Sequence, residues 1–231
     1  SFPRSHYIAL PRGLFEDRIL AEMMAPTSED GQNLFWDAFG RRFINRSYKE
    51  ADLFSQKSRE FIAALFPREE VYLSLLPADA VQVVAEVGDE TRPARAMLER
   101  IGFRYNDRVD PFDGGPHLEC ETDSVLPVKA TRRVDLAGAA GAGRAKREAI
   151  VSVERPDGSS HALLATQTHV LESPDGSSVR LPVEAMKLLR AEAGMKIGVT
   201  MLDEAWPSAK PVKSAATKPK RRTRSSARVT D

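Results

Sequence analysis

With 231 residues, 42% of them hydrophobic and 29% charged, the chain matches soluble globular proteins and can bury one large core or two small ones. Its formal charge of +1 is unevenly spread: residues 210–231 hold eight Lys or Arg against one acid, leaving 26 basic and 32 acidic residues upstream. No run approaches the roughly 18 apolar residues of a membrane helix, and one cysteine with four dispersed histidines excludes an intrachain disulfide, disfavours metal and fits a reducing, cytoplasmic compartment.

Along the chain, the run from Arg18 to Met24 reads either as a buried strand or as a helix end, because so short an apolar stretch has no decisive period. Pro26 to Gly31 is a loop by turn chemistry. From Asn33 onward Leu34, Phe35, Phe39 and Phe43 recur at helical spacing, and further helices are predicted around 48–54 and over 58–66, where Pro67 ends the last. Pro77 suits the first turn of another helix. Thr91 is placed to cap one that runs through Arg100 to an exit at Gly102. Residues 103–105 and 118–121 read as strands joined through Gly114-Gly115. Residues 137–143 are rich in Ala and Gly and read as a flexible connection.

Strands are then predicted over 149–154, 162–168, 179–181 and 197–202, with Pro-Asp-Gly-Ser turns at 156–159 and 174–177. Between the last two strands, 183–193 reads as an amphipathic helix with Met186, Leu188 and Leu189 inward. The expected organisation is therefore a first α+β domain over 1–136, a small β-rich domain over 144–203 and a basic, disordered tail over 204–231. Residues 218–224 (KPKRRTR) can contact a polyanion but offer no aromatic for base stacking. A solvated chain end is the preferred reading, and no nucleic-acid partner is expected.

Several segments, in this order and with these gaps, resemble the arginine N-succinyltransferase family, which includes the arginine/ornithine enzymes. They are Ala21-Glu22-Met23, Phe35-Trp36 with Gly40 and Phe43, Ala51-Asp52, Phe61-Ile62-Ala63, and Thr91 with Pro93-Ala94-Arg95. The most distinctive are Leu98-Glu99 running into Gly102-Phe103-Arg104-Tyr105, then Phe112-Asp113-Gly114-Gly115-Pro116 and Leu118-Glu119-Cys120. The likeness spans about residues 1–203, more loosely in the β-rich part. It implies a scaffold related to the acetyltransferase (GNAT) superfamily, a mixed sheet flanked by helices, present without its N-terminal half. The implied reaction transfers succinyl from succinyl-CoA, the co-substrate, to the α-amino group of arginine.

Two departures from the family pattern matter. The glycine-rich turn whose N–H groups hold the CoA pyrophosphate in relatives has no counterpart near Ser1, where the chain reads as already within the following helix. At Val87-Gly88-Asp89, Gly88 stands where relatives commonly carry the histidine that acts as proton donor, and glycine transfers no proton. The absent half implies a second chain or protomer that supplies it and pairs with an exposed sheet edge. The rival reading is a non-catalytic scaffold or regulatory subunit.

Proton transfer then has three candidates: Asp89 and Glu90, which serve only if burial keeps one protonated, and His117, which follows the FDGGP segment. Recognition of a guanidinium calls for carboxylates, and Glu119 and Glu121 alternate with Cys120, which directs both to one face beside Asp113. Glu22 is a further carboxylate in an apolar stretch, and Arg42 is the candidate partner for the succinyl carboxylate. Cys120 reads as a buried strand residue, since no adjacent histidine completes a nucleophilic pair.

Overall fold

The computed structural model describes residues 2–56, 64–67, 69–156 and 161–206. The helix expected over 58–66 therefore falls mostly outside the described residues, as do the first Pro-Asp-Gly-Ser turn and nearly all of the basic tail. The architecture is mixed α and β, in two units: a three-stranded antiparallel sheet with helices around it, and a closed five-stranded barrel.

The first unit opens with α1 (Phe2–Ala9) and β1 (Arg18–Glu22). The ambiguous run 18–24 is thus a strand over its first five residues, decided by its pairing with β3 rather than by any local preference. Helices α2 (Leu34–Ala38), α3 (Gly40–Phe43) and α4 (Tyr48–Ser55) follow. Asn33 caps α2 by accepting from the Trp36 N–H at 2.6 Å, and Ser47 and Glu50 form a reciprocal capping box on α4. The helical spacing of Leu34 to Phe43 is real, but the helix breaks at Phe39. Trp36 is fully buried there and packs on Phe112 at 4.6 Å between ring centroids, with Tyr48 and Phe66 beside it.

Next come α5 (Ala78–Gln82), which begins directly after Pro77, and α6 (Arg92–Arg100), with Pro93 in its first turn. Thr91 does not cap α6 with its side chain; its hydroxyl donates to the Gly88 carbonyl at 3.0 Å. Strands β2 (Arg104–Val109) and β3 (Pro116–Glu121) complete the sheet in the order β1-β3-β2. The sheet is wholly antiparallel, which corrects the expectation of a mixed sheet. Ile19, Ala21, Tyr105, Leu118 and Cys120 share one face and pack with Ile8, Ile101, Phe103 and Val128. Val128 lies on α7 (Leu126–Lys129), the link to the barrel.

The barrel is built from β4 (Thr131–Ala139), β5 (Arg147–Pro156), β6 (His161–Glu172), β7 (Ser178–Leu181) and β8 (Lys196–Met201), closed in the order β4-β7-β6-β5-β8. Only the β4–β7 pair is parallel. The unit begins at Thr131, not after residue 143, because β4 runs from there to Ala139, into the stretch expected to divide the domains. Along β4, Val134, Leu136 and Gly138 turn inward while Asp135, Ala137 and Ala139 face out, so residues 137–139 belong to a paired strand and only 140–146 form the connection to β5. Between β7 and β8, α8 (Val183–Leu189) closes one side with Ala185 and Leu189. Leu188 faces solvent, 69% exposed, contrary to its predicted inward position. A short α9 (Leu202–Ala205) ends the described chain.

Candidate functional site

The side of the sheet opposite its apolar core carries almost all the charge. Period-two alternation along β3 sends Leu118 and Cys120 to the core and His117, Glu119 and Glu121 to the other face. Across the register, His117 lies opposite Glu22, Glu119 opposite Leu20, and Glu121 opposite Arg18. On the other side Arg104 pairs with Glu119. Arg18 bridges the two carboxylates, donating to Glu119 at 3.4 Å and to Glu121 at 2.9 Å.

Glu119 is the centre of this face, its side chain only 7% exposed. Its second partner is Arg108, which donates from Nη1 at 3.1 Å. Arg108 reaches it because β2 bulges: Tyr105 pairs with Leu118 and Val109 with Pro116, so β2 has two more residues than β3 over this stretch. Asp107 takes the turn with φ +52°. Beside the pair runs a groove of about 360 Å³ lined by Arg18, Arg104, Tyr105, Asn106, Glu119 and Glu121, among others. Such a face suits a ligand bearing both a cationic and an anionic group, with planar guanidinium–carboxylate pairing its strongest available contact. A guanidinium entering here competes with Arg18 and Arg108 for the two carboxylates.

Asp113 does not join this cluster. It is buried and its carboxylate accepts the N–H of Gly115 at 2.7 Å and of Ala25 at 3.1 Å. Burial pushes its carboxyl above the usual range, partly offset by those amides. Asn33 donates to the Asp113 carbonyl at 3.0 Å, and the Ala85 N–H donates to that of Gly114 at 2.8 Å. A Cβ at Gly115 would lie 2.0 Å from the Met23 carbonyl oxygen. The FDGGP segment is therefore a clasp that ties the chain after β1 to the turn before β3.

The proton-transfer candidates separate by position. Asp89 is exposed and paired with Arg92 at 2.8 Å, and Glu90 is exposed. The burial their role required is missing at both. Gly88 is buried in the turn that leads into α6, its carbonyl accepting from Thr91 and Arg92. His117 is half-buried on the charged face, and its Nε2 has no hydrogen-bond partner among the described residues. Glu22 ends β1, exposed, and Arg42 is exposed on α3. Cys120 is buried against the sheet core, where burial pushes its thiol pKa up, the reverse of what a nucleophile needs. Among the described residues no cluster of three His, Cys, Asp or Glu side chains is arranged to hold a metal, and no helix is long and apolar enough to cross a membrane.

Sequence reasoning missed Arg18 and Arg108, the two residues that hold Glu119. Arg18 was visible as the start of a possible strand, but its register opposite Glu121 was not. Nothing in the local sequence announces the bulge that delivers Arg108.

Comparison with known proteins follows the same segments. The family described as arginine N-succinyltransferase beta subunit matches residues 1–127. Curated arginine N-succinyltransferases from Escherichia coli O139:H28 and from Shigella boydii serotype 18 are each 39% identical over 135 residues, 58% of this chain. The chain spans 39% of the length of those relatives. The solved structure of arginine/ornithine succinyltransferase subunit AI from Pseudomonas aeruginosa superposes with a TM-score of 0.71 at 25% identity, covering 87% of this chain and 56% of that one. With its match extending over more than half of its residues, and through both the FDGGP clasp and the Glu119 strand, the chain belongs to the arginine N-succinyltransferase beta subunit family.

Proposed function

We propose that this chain forms the amine-acceptor side of an arginine N-succinyltransferase, in which succinyl passes from succinyl-CoA to the α-amino group of arginine. The amine nitrogen attacks the thioester carbonyl, an N–C bond forms, the C–S bond breaks, and the proton lost by nitrogen goes to the departing thiolate. The observation that carries the reading is the family match over residues 1–127, supported by relatives named for this activity.

In this reading Glu119 and Glu121 receive the substrate guanidinium, and Glu22 extends the acidic rim at the far end of β1. Asp113 is excluded from that role because its carboxylate is committed to two backbone amides. Arg42 stays a candidate partner for the succinyl carboxylate on exposure alone. Proton transfer falls to His117, the one candidate that lies on the charged face with an unpartnered ring nitrogen. We further read the scaffold as GNAT-related. The outer edge of β1, whose single neighbour among the described residues is β3 and whose Leu20 is 46% exposed, is where a second chain or protomer adds a strand and brings the CoA pyrophosphate cradle.

The test is CoA thiol release from succinyl-CoA plus arginine, measured with the chain alone and with a protein carrying the glycine-rich strand–turn–helix half. Arginine-dependent turnover is expected in the mixture. His117→Gln should lower kcat by roughly 100-fold, and Glu119→Gln should raise KM for arginine by roughly tenfold. No turnover in either condition, with folded protein, would leave the non-catalytic subunit as the reading.

A further inference from the structure

Outside the charged face, the first unit and the barrel meet at a buried histidine that the catalytic reading does not use. His6, on α1, is 1% exposed. Its Nδ1 lies 2.6 Å from Thr200 Oγ1 on β8 and its Nε2 lies 2.7 Å from Ser152 Oγ on β5, both fully buried. Thr200 Oγ1 is in turn 2.5 Å from Thr131 Oγ1, which donates to the Pro127 carbonyl at 2.7 Å.

Counting hydrogens along this chain fixes the direction of every bond. The Pro127 carbonyl only accepts, so the single hydrogen of Thr131 goes there. Thr131 must then accept from Thr200, which uses the only hydrogen of Thr200. Thr200 accordingly accepts from His6, and Nδ1 carries the imidazole proton. Nε2 is left as an acceptor, and Ser152 donates to it. One neutral tautomer satisfies all four side chains; a second proton, on Nε2, would force the Ser152 hydrogen to turn away and place a charge in a closed site.

We infer that His6 is a proton-operated latch: neutral, with its proton on Nδ1, it docks α1 onto strands β5 and β8 of the barrel, and protonation at Nε2 releases that docking. The other contacts at the junction depend on the same approach of helix to barrel. The Leu10 side chain lies over Gly198, where an added Cβ would come within 2.6 Å of it, and Arg133 donates to the Leu10 carbonyl at 2.9 Å. At the start of α1, Phe2 meets Trp206 edge-on at 5.4 Å.

Among the described residues no charged side chain compensates a proton on His6. Arg4 on α1 and Lys129 on α7 are exposed. On the barrel strands Arg133 pairs with Glu154, Lys196 with Asp135, and Arg132 and Arg147 with Glu172 and Glu204; Glu148 accepts from Gln167. Desolvation by burial alone lowers His6 from 6.5 to about 4. Between those values the released helix binds the proton more tightly, so acidification shifts docking toward release by up to about 300-fold.

The inference is independent of the catalytic proposal and is tested on the full chain, labelled with 15N, by NMR from pH 7 to pH 4. At pH 7 the His6 ring should show a protonated Nδ1 and a bare Nε2. As pH falls, the Trp206 indole resonance should shift and the α1 amides should lose protection about 100-fold while the β5–β6 ladder keeps its own. A proton on Nε2 at pH 7 would overturn the latch, as would α1 protection lost only together with that ladder. His6→Gln should hold α1 protection constant over the same range, and loss of protection in that variant with the wild-type profile would also overturn it. Should the variant fail to fold, the wild-type tautomer and protection profile decide the matter.

Discussion

The barrel pairs each of its five strands on both sides, whereas among the described residues the three-stranded sheet leaves β1 and β2 with one neighbour each. In the barrel, closure turns alternate residues into a dry interior of Val, Leu, Ile and Met, and the strand edges disappear. In the sheet, one face is equally apolar but the other holds Glu119, Glu121, Arg18 and Arg108 beside an open groove. The difference separates a unit whose strand edges are all paired from one that leaves edges and a polar face open. A closed barrel has little left to offer a partner strand. The sheet keeps an open edge and a charged face together.

The contrast is sharpest where the sheet's geometry allows no adjustment. Gly115→Ala would place a methyl 2.0 Å from the Met23 carbonyl, where only backbone movement could relieve the clash. It should cost more than about 3 kcal/mol, and chemical denaturation should show the loss with Trp36, packed on Phe112 beside the clasp, as reporter. A methyl tolerated there would mean that the clasp is pliable.

Next in size is a matched pair of leucines. Leu136→Ala in the barrel interior, 1% exposed, should cost about 3 kcal/mol. Leu20→Ala on the free β1 edge, 46% exposed, should change the stability of the isolated chain by less than about 0.5 kcal/mol. Equal losses in the two variants would show that the edge is already covered. Measured with the partner half present, the Leu20 variant should instead weaken association.

A smaller effect than the loss at Leu136 is expected at the junction between the units. The folded His6 pKa lies below its unfolded value, so the unfolded chain binds more protons between 6.5 and about 4, and stability falls as pH drops through that window. Relative to pH 7, the loss at pH 5.5 should be about 1 kcal/mol. His6→Gln should remove that slope, which urea titrations at the two pH values would show.

Much of the fold was legible along the chain, for identifiable reasons. Pro77 marks a helix start through chemistry contained within a few residues, whereas the Ser47–Glu50 capping box, equally local, went unread. The Pro-Asp-Gly-Ser turn at 174–177 is held by Asp175, which accepts from the Ser173 and Ser177 hydroxyls. The alternation that sends Glu119 and Glu121 to one face is likewise local. Less legible were β1, which has no period of its own, and β4, whose Ala and Gly conceal a strand. Both are decided by distant partners. At the candidate site, Glu119 was identified without either of its arginines, because one depends on register with β1 and the other on a bulge. Asp113 was assigned to substrate because a carboxylate in a glycine turn looks the same in sequence whether it serves a ligand or two amides.

What the sequence by itself determined is the set of helix starts, turns and alternating strands, together with the family kinship that its ordered motifs carry, because those signals reside in neighbouring residues. Only the tertiary structure decided that β4 closes a barrel, that Asp113 is a clasp, that Arg108 reaches Glu119 and that His6 finds two hydroxyls 146 and 194 residues away. Each of these needs contacts between segments far apart in the chain, and no local preference encodes which segments will meet.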